Sequence, residues 1–156
     1  MAWSASAVFR SYVTDAQANA QAFDLSGAGV DTFNNALYNN SITPDKDAAE
    51  AATRYNTGQW ATANEVYEAG QWAQGGVALT SPALTNPVAG VTMWDATDTA
   101  SGAAADLASV FGCQLYDTTL VNDPGICYLY FGGSNSVVNG TFTVVYHGDG
   151  LFRATN

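Results

Sequence analysis

Apolar and polar positions alternate along most of this chain with a period close to two. From about residue 59 onward, segments of five to eight residues rich in Val, Thr, Tyr, Phe and Trp are separated by clusters of Gly, Asn, Asp and Pro. This spacing predicts strands near 76–80, 91–95, 110–117, 125–132, 140–146 and 150–154. The turns between them fall at Gly75-Gly76, Asn86-Pro87, Asp123-Pro124-Gly125, Gly132-Gly133 and Gly148-Asp149-Gly150. The expected fold class is mainly β, an antiparallel β-sandwich or barrel with one short helix. The clearest pair is 110–132: Phe111, Cys113 and Leu115 share one strand face, and Cys127, Leu129 and Phe131 share a face of the next. A hairpin turning around Asn122–Gly125 sets both faces into the core, with both cysteines buried close together. Tyr128 and Tyr130 then point the other way, toward a second buried layer or a subunit interface.

Upstream, Gly27-Ala28-Gly29 marks a turn, and Val30–Tyr38 reads as a strand with Phe33 and Leu37 on one face. The one helix is expected over 44–55: Thr43 caps, Pro44 opens, Asp45 and Asp47 sit in the first turn, and Asn56-Thr57-Gly58 ends it. Residues 7–13 fit a strand or a helical turn equally, and 100–105 takes no assignment. The organisation expected is an N-terminal arm over 1–29 and a single β-rich domain over 30–156. The arm holds Trp3, Phe9 and Tyr12 but no clear place in the β core. Residues 1–13 are therefore expected to lie across neighbouring molecules, and their removal to leave a folded domain.

Composition narrows the functional classes. The chain has 156 residues, enough for one domain, and is 47% hydrophobic but only 12% charged. Four basic residues face fourteen acidic ones, for a net charge of −10. Lys46, Arg10, Arg54 and Arg153 are too few and too scattered to displace phosphate counterions, so no nucleic-acid partner is expected. No apolar run reaches the ~18 residues of a membrane span, and the first ten residues do not read as a signal peptide. Cys113 and Cys127 are either a cross-strand pair or two buried thiols, and synthesis in a reducing cytoplasm favours thiols.

Candidate chemistry is thin. His147 is the only histidine, placed at a strand turn with no G-x-S-x-G elbow in the chain. The pairs Asp95/Asp98 and Glu65/Glu68 could in principle serve glycoside hydrolysis or calcium, but carboxylates in such loops more often cap turns. No catalytic, cofactor or metal residues are assigned, and no enzymatic activity is expected.

A set of segments, in order, carries a resemblance. Ala36-Leu37-Tyr38-Asn39-Asn40-Ser41-Ile42-Thr43-Pro44-Asp45 comes first, then Ala63-Asn64-Glu65-Val66 and Gly75-Gly76-Val77-Ala78-Leu79. Met93–Thr99, Gln114–Asp117, Cys127–Gly133, Gly140–Tyr146 and Gly150–Phe152 follow. Together, over roughly 30–156, they resemble a family of small tailed-phage structural proteins, including those of phages of actinobacteria. The resemblance implies a virion part made in many copies, and brings no functional residues with it. With an acidic charge suited to an outward-facing position, the reading is a capsid decoration protein. It would bind the major capsid protein on the virion exterior and stabilise the head, as a homo-oligomer, most simply a trimer. The interface residues expected are Trp3, Phe9, Tyr12, Tyr128 and Tyr130. Two alternatives are a tail tube or tip component, against which the apparently short strands count, and a glycan-binding module using Trp60, Trp72 or Trp94 as a stacking platform.

Overall fold

The structure is a computed structural model and describes residues 3–26 and 31–155. In chain order the elements are β1 (Ala7–Val8), α1 (Arg10–Ala18), β2 (Phe33–Tyr38), α2 (Glu50–Thr53), β3 (Glu65–Val66), β4 (Val77–Ala78) and β5 (Thr80–Val88). They continue with β6 (Val91–Thr97), β7 (Thr99–Ala100), β8 (Ala105–Asp117), β9 (Gly125–Gly140), β10 (Thr143–Val144) and β11 (Phe152–Thr155). Every strand pairing among the described residues is antiparallel. The central sheet runs β1-β9-β8-β2-β3, with β4 also paired to β2; β11-β6-β5 form a second sheet and β10-β7 a third. The mainly β, antiparallel class read from the alternation is the class observed.

The β8–β9 hairpin organises the rest, and its turn lies where Asn122–Gly125 placed it. Asp117 Oδ1 accepts the N–H groups of Thr119 and Leu120 at 2.7 and 3.1 Å, starting the turn. Asn122 and Asp123 take positive φ, which these short polar side chains tolerate. The Asp117 N–H closes the hairpin on the Pro124 carbonyl at 3.0 Å. Cys113 pairs with Leu129 and Leu115 with Cys127, which puts both cysteines on one face as neighbours on a diagonal. Both are buried and unbonded. The Gly132-Gly133 pair is not a turn between strands: β9 runs through it to Gly140, and the register against β8 shifts there instead.

Both faces of this sheet are covered by the chain itself. On one, Phe33 meets Trp94 of the second sheet edge-on at 5.1 Å between centroids. Asn35 on the same face donates to the Tyr146 hydroxyl at 2.8 Å, and that hydroxyl also shares a 2.7 Å bond with Thr99. This buried polar group ties β7 and the 142–146 segment to the sheet. On the opposite face lie Tyr38, Gln114, Tyr116 and Tyr128, covered by coil from 39 to 75 and by the N-terminal segment. Gln114 donates to the Thr53 carbonyl at 2.6 Å, Tyr116 to the Gly75 carbonyl at 2.6 Å, and Tyr38 to the Trp60 carbonyl at 2.7 Å. These bonds satisfy a covering layer that has few strands of its own. Gly76 (φ +85) lets that layer approach, since a Cβ there would strike the Asn35 backbone.

Two sequence expectations need correction here. Residues 3–13 are not an arm outside the core. β1 pairs with β9, the Phe9 N–H donates to the Ile126 carbonyl at 3.0 Å, and Trp3, Phe9 and Tyr12 are buried. Phe9 packs edge-on against Trp60 at 5.7 Å and beside Tyr128 at 5.3 Å. Trp3 fits over Gly112, where a Cβ would come within 2.5 Å of its ring. The segment looked unplaced because its partners are distant in sequence, from Asn39 and Lys46 to Ile126, Tyr128 and Tyr130. Part of the proposed arm, Gly27 to Gly29, lies outside the described residues.

The helices also differ. The segment 44–49 is not helical; only Glu50–Thr53 is, as α2. Asp45 Oδ1 accepts the Asp47 N–H at 2.9 Å, a local turn that competes with helix, and the Lys46 carbonyl accepts the Arg10 N–H at 2.8 Å. The longer helix is α1, in the Ala/Gln-rich stretch, ended by Asn19 in the left-handed conformation. It is held by Tyr12, packed on Phe23 at 4.8 Å and Phe152 at 5.8 Å.

Phe9→Ala should therefore destabilise the isolated protein by about 3–5 kcal/mol, and Gly112→Ala by about 1–3 kcal/mol through overpacking against Trp3. Urea unfolding followed by tryptophan fluorescence measures both; unchanged midpoints would return the N-terminal segment to the role of a free arm.

Candidate interaction groove

The residues with catalytic potential are each engaged in holding the fold. Glu65 accepts the Gly75 N–H at 2.7 Å and the Tyr55 hydroxyl at 3.0 Å. Glu68 accepts the Asp106 N–H at 2.6 Å, Asp95 its neighbour Ala96 N–H at 2.9 Å, and Asp98 the Tyr146 N–H at 2.9 Å. His147 Nδ1 accepts the Asp149 N–H at 3.1 Å in an exposed turn, and Asp149 also pairs with Arg153. Burial raises both thiols, Cys127 to about 12, so neither is a ready nucleophile. Among the described residues no group of three or more His, Cys, Asp or Glu side chains is placed to hold a metal ion, and no helix is long and apolar enough to cross a membrane.

The three tryptophans offered as a sugar platform are unavailable for stacking on a ligand. Trp60, Trp72 and Trp94 are all buried, and the Trp72 indole N–H is spent on the Asn35 carbonyl at 3.1 Å. The interface residues expected from sequence separate in the same way. Trp3, Phe9, Tyr12 and Tyr128 belong to the intramolecular core; Tyr128 lies against Trp3 at 6.0 Å and Trp60 at 5.9 Å. Tyr130 alone is half-exposed, stacked on Trp3 with 16° between ring planes.

Tyr130 opens onto a groove that sequence reading missed. Two adjoining recesses, of about 380 and 200 Å³, share Tyr130, Phe131, Val144 and Val145 along one side of β9. The first also takes in Asn135 and Phe142, the second Leu129 and Leu151. The walls come from the 141–146 segment, where Phe142, Val144 and Tyr146 turn inward and Val145 outward, with 72% of its surface exposed. Past Tyr128, β9 has no described strand partner on its β1 side; the Tyr130 N–H is met only by the Ser6 hydroxyl at 2.9 Å. No Asp, Glu, Lys or Arg occurs between Asp123 and Asp149, and none lines either recess, though His147 stands at the edge of the second. That run is the signal the sequence held. Compared with protein-family models, with curated proteins and with solved structures, the chain matches none.

One titrating group departs from ordinary behaviour at the β8–β9 turn. Asp117 is fully buried, and desolvation pushes its carboxyl up to about 6, with the neighbouring Asp31 adding to the rise. The folded state then keeps a proton that the unfolded chain gives up near pH 4, so this group's effect is to lower stability as pH climbs from about 4 to about 6. In buffer free of divalent cations, Asp117→Asn should flatten that dependence. The variant should gain about 2 kcal/mol on wild type between pH 4 and pH 7, on the order expected for a shift of this size. Urea midpoints across that range test it; parallel profiles for the two proteins would refute it.

Proposed function

We propose that this chain is a non-enzymatic structural protein of a tailed-phage virion. In this reading it decorates the capsid as a homotrimer, sits on the outer surface of the major capsid lattice and stabilises the head. The observation that carries the reading is the uncharged groove beside the open side of β9. It is a recess with mixed polar and apolar walls and no Asp, Glu, Lys or Arg in its lining, on a protein that otherwise bears a net charge of −10, and so a surface suited to docking on another protein. The ordered segments that resemble small tailed-phage structural proteins supply the virion context. The acidic remainder suits a position facing away from packaged DNA.

A second reading, a tail component, draws support from β8 and β9. At 13 and 16 residues they exceed the short strands expected, and their far ends run beyond β2 as a two-stranded ribbon. Long ribbons of this kind can pair between subunits.

Co-sedimentation of the purified protein with heads lacking it, and with isolated tails, separates the two. Binding to heads is the expected result; binding to tails alone would replace decoration with the tail reading. Val145→Glu alters an exposed side chain of the groove and should leave folding intact. It should weaken head binding by about tenfold or more, as loss of a central interface contact does. Unchanged binding by this variant would remove the groove from the interface.

A further inference from the structure

Two stretches of this chain run longer than any others without Asp, Glu, Lys or Arg. One lies between Asp123 and Asp149 and supplies most of the β9 groove. The other lies between Glu68 and Asp95 and includes β5 and the start of β6. Every residue from Leu84 to Gly90, the end of the β5–β6 hairpin, is exposed. β5 pairs with β6 alone among the described strands, so the hairpin has a bare edge. Leu84 and Val88 are 45% and 58% exposed there. Val88 lies opposite Val91, and Gly90 turns the chain between them at φ +77. The hairpin end is an uncharged knob on a protein of net charge −10.

A chain cannot seat this knob in its own groove. Leu151 lines the second recess, and its N–H donates to the Trp94 carbonyl at 2.8 Å. From there β11 runs beside β6, with Phe152 opposite Trp94 and Thr155 opposite Val91. The hairpin tip lies beyond Val91, roughly 10 Å further along β6 at the usual rise per residue. Knob and groove therefore sit at opposite ends of the second sheet. Nor can β5 readily add a strand to a neighbour, because Pro82, Pro87 and the positive φ of Ser81 interrupt its edge. It meets another surface through its side chains.

We propose that the β5–β6 hairpin tip of one copy of this chain seats in the β9 groove of the next, head to tail, so that copies close into a ring. Charge selects this pairing. Two bodies of net charge −10 repel least where both meeting surfaces lack carboxylates, as the hairpin end and the groove do. Pro87 and Val88 bring apolar volume to a recess of about 380 Å³ whose apolar wall includes Tyr130, Phe142 and Val145. Asn86 and the main chain of the turn bring polar groups to its polar wall, where Asn135 and Thr143 lie. A contact between two different patches repeats from copy to copy and closes when the rotation permits. The inference rests on the homo-oligomer of the virion reading and gives that oligomer its contact, the trimer being a ring of three. Breaking the ring weakens head binding through lost avidity.

The test is the mass of the full chain in solution, by sedimentation equilibrium from micromolar to near-millimolar concentration. The wild-type mass should rise to that of a closed ring and stop there. Val88→Glu on the hairpin and Val145→Glu in the groove should each lower the association constant by at least about tenfold, since either puts an unpaired charge into the contact. An equal mixture of the two variants should associate again, but only to a dimer. The intact hairpin of a Val145→Glu chain then fills the intact groove of a Val88→Glu chain, and no second contact can form. Leu84→Glu and Thr143→Glu replace either variant that circular dichroism shows to be misfolded. A wild-type chain that stays monomeric throughout overturns the proposal. So does a mixture that associates no better than its components, because each patch would then meet something other than its counterpart. Rings that fail to bind heads would remove the virion reading and leave this contact standing. Head binding by a chain that is monomeric at every concentration would do the reverse.

Discussion

A sheet that carries large apolar side chains on both faces has to be covered twice, and that requirement shapes nearly every other feature of this molecule. In the β8–β9 hairpin, Cys113, Leu115 and Cys127 face one way while Gln114, Tyr116 and Tyr128 face the other, and all six are buried. A second sheet covers the first face in the manner of a sandwich, with Trp94 set into it. The other face has no sheet to meet it. It is closed by coil, short helices and the N-terminal strand, through a group of rings in which Trp60 touches Trp3, Phe9, Tyr38 and Tyr128. Each such pair adds about 0.5–1.5 kcal/mol beyond the area it buries. Irregular backbone can serve as a core layer only if its polar groups are answered. The bonds from Gln114, Tyr116 and Tyr38 to carbonyls in that layer do this.

This double covering explains what the sequence made legible. Period-two alternation is a property of single strands, so β2, β6 and the paired cores of β8 and β9 could be read directly, with the turn at 122–125. The opposed faces of Tyr128 and its neighbours were legible too, including the need for a second layer. What covers that layer was not, because contacts such as Phe9 with Ile126 and Trp3 with Gly112 depend on pairings across more than a hundred residues. Local rules also misled at Thr43-Pro44-Asp45. The capping pattern is present, yet the aspartates close their own turn, and the Lys46 carbonyl is taken by α1. Propensity lost there to tertiary hydrogen bonding.

The candidate site was less legible than the fold for a related reason. Aromatic content pointed to exposed binding rings, but in this chain the largest rings are the covering layer itself, and four of the five residues singled out are core. What marks the groove is an absence of charge along consecutive residues rather than the presence of a notable side chain. Val144 and Val145 are unremarkable as residue types. They line a recess because the 141–146 segment alternates inward and outward beside a strand that has no partner.

Two of the open strand edges among the described residues, those of β5 and β9, are managed differently, and the contrast bears on what the groove is for. An unpaired edge invites aggregation, and proteins blunt it with proline, charge or bulges. The outer edge of β5 carries Pro82 and Pro87, and Ser81 takes positive φ, so that strand is a poor template. β9 has register shifts along its far half but neither proline nor charge from Gly125 to Gly140. Fourteen carboxylates were available to a chain of this composition, and none stands on that strand. Val138 on the ribbon and Val145 beside it are both largely exposed, at 82% and 72%. A free monomer gains nothing from leaving such an edge bare. Under the proposed reading, a protein that works when assembled would gain a surface that is uncharged and bulged enough to resist indiscriminate pairing, so that a shaped partner could cover it where another stray strand could not.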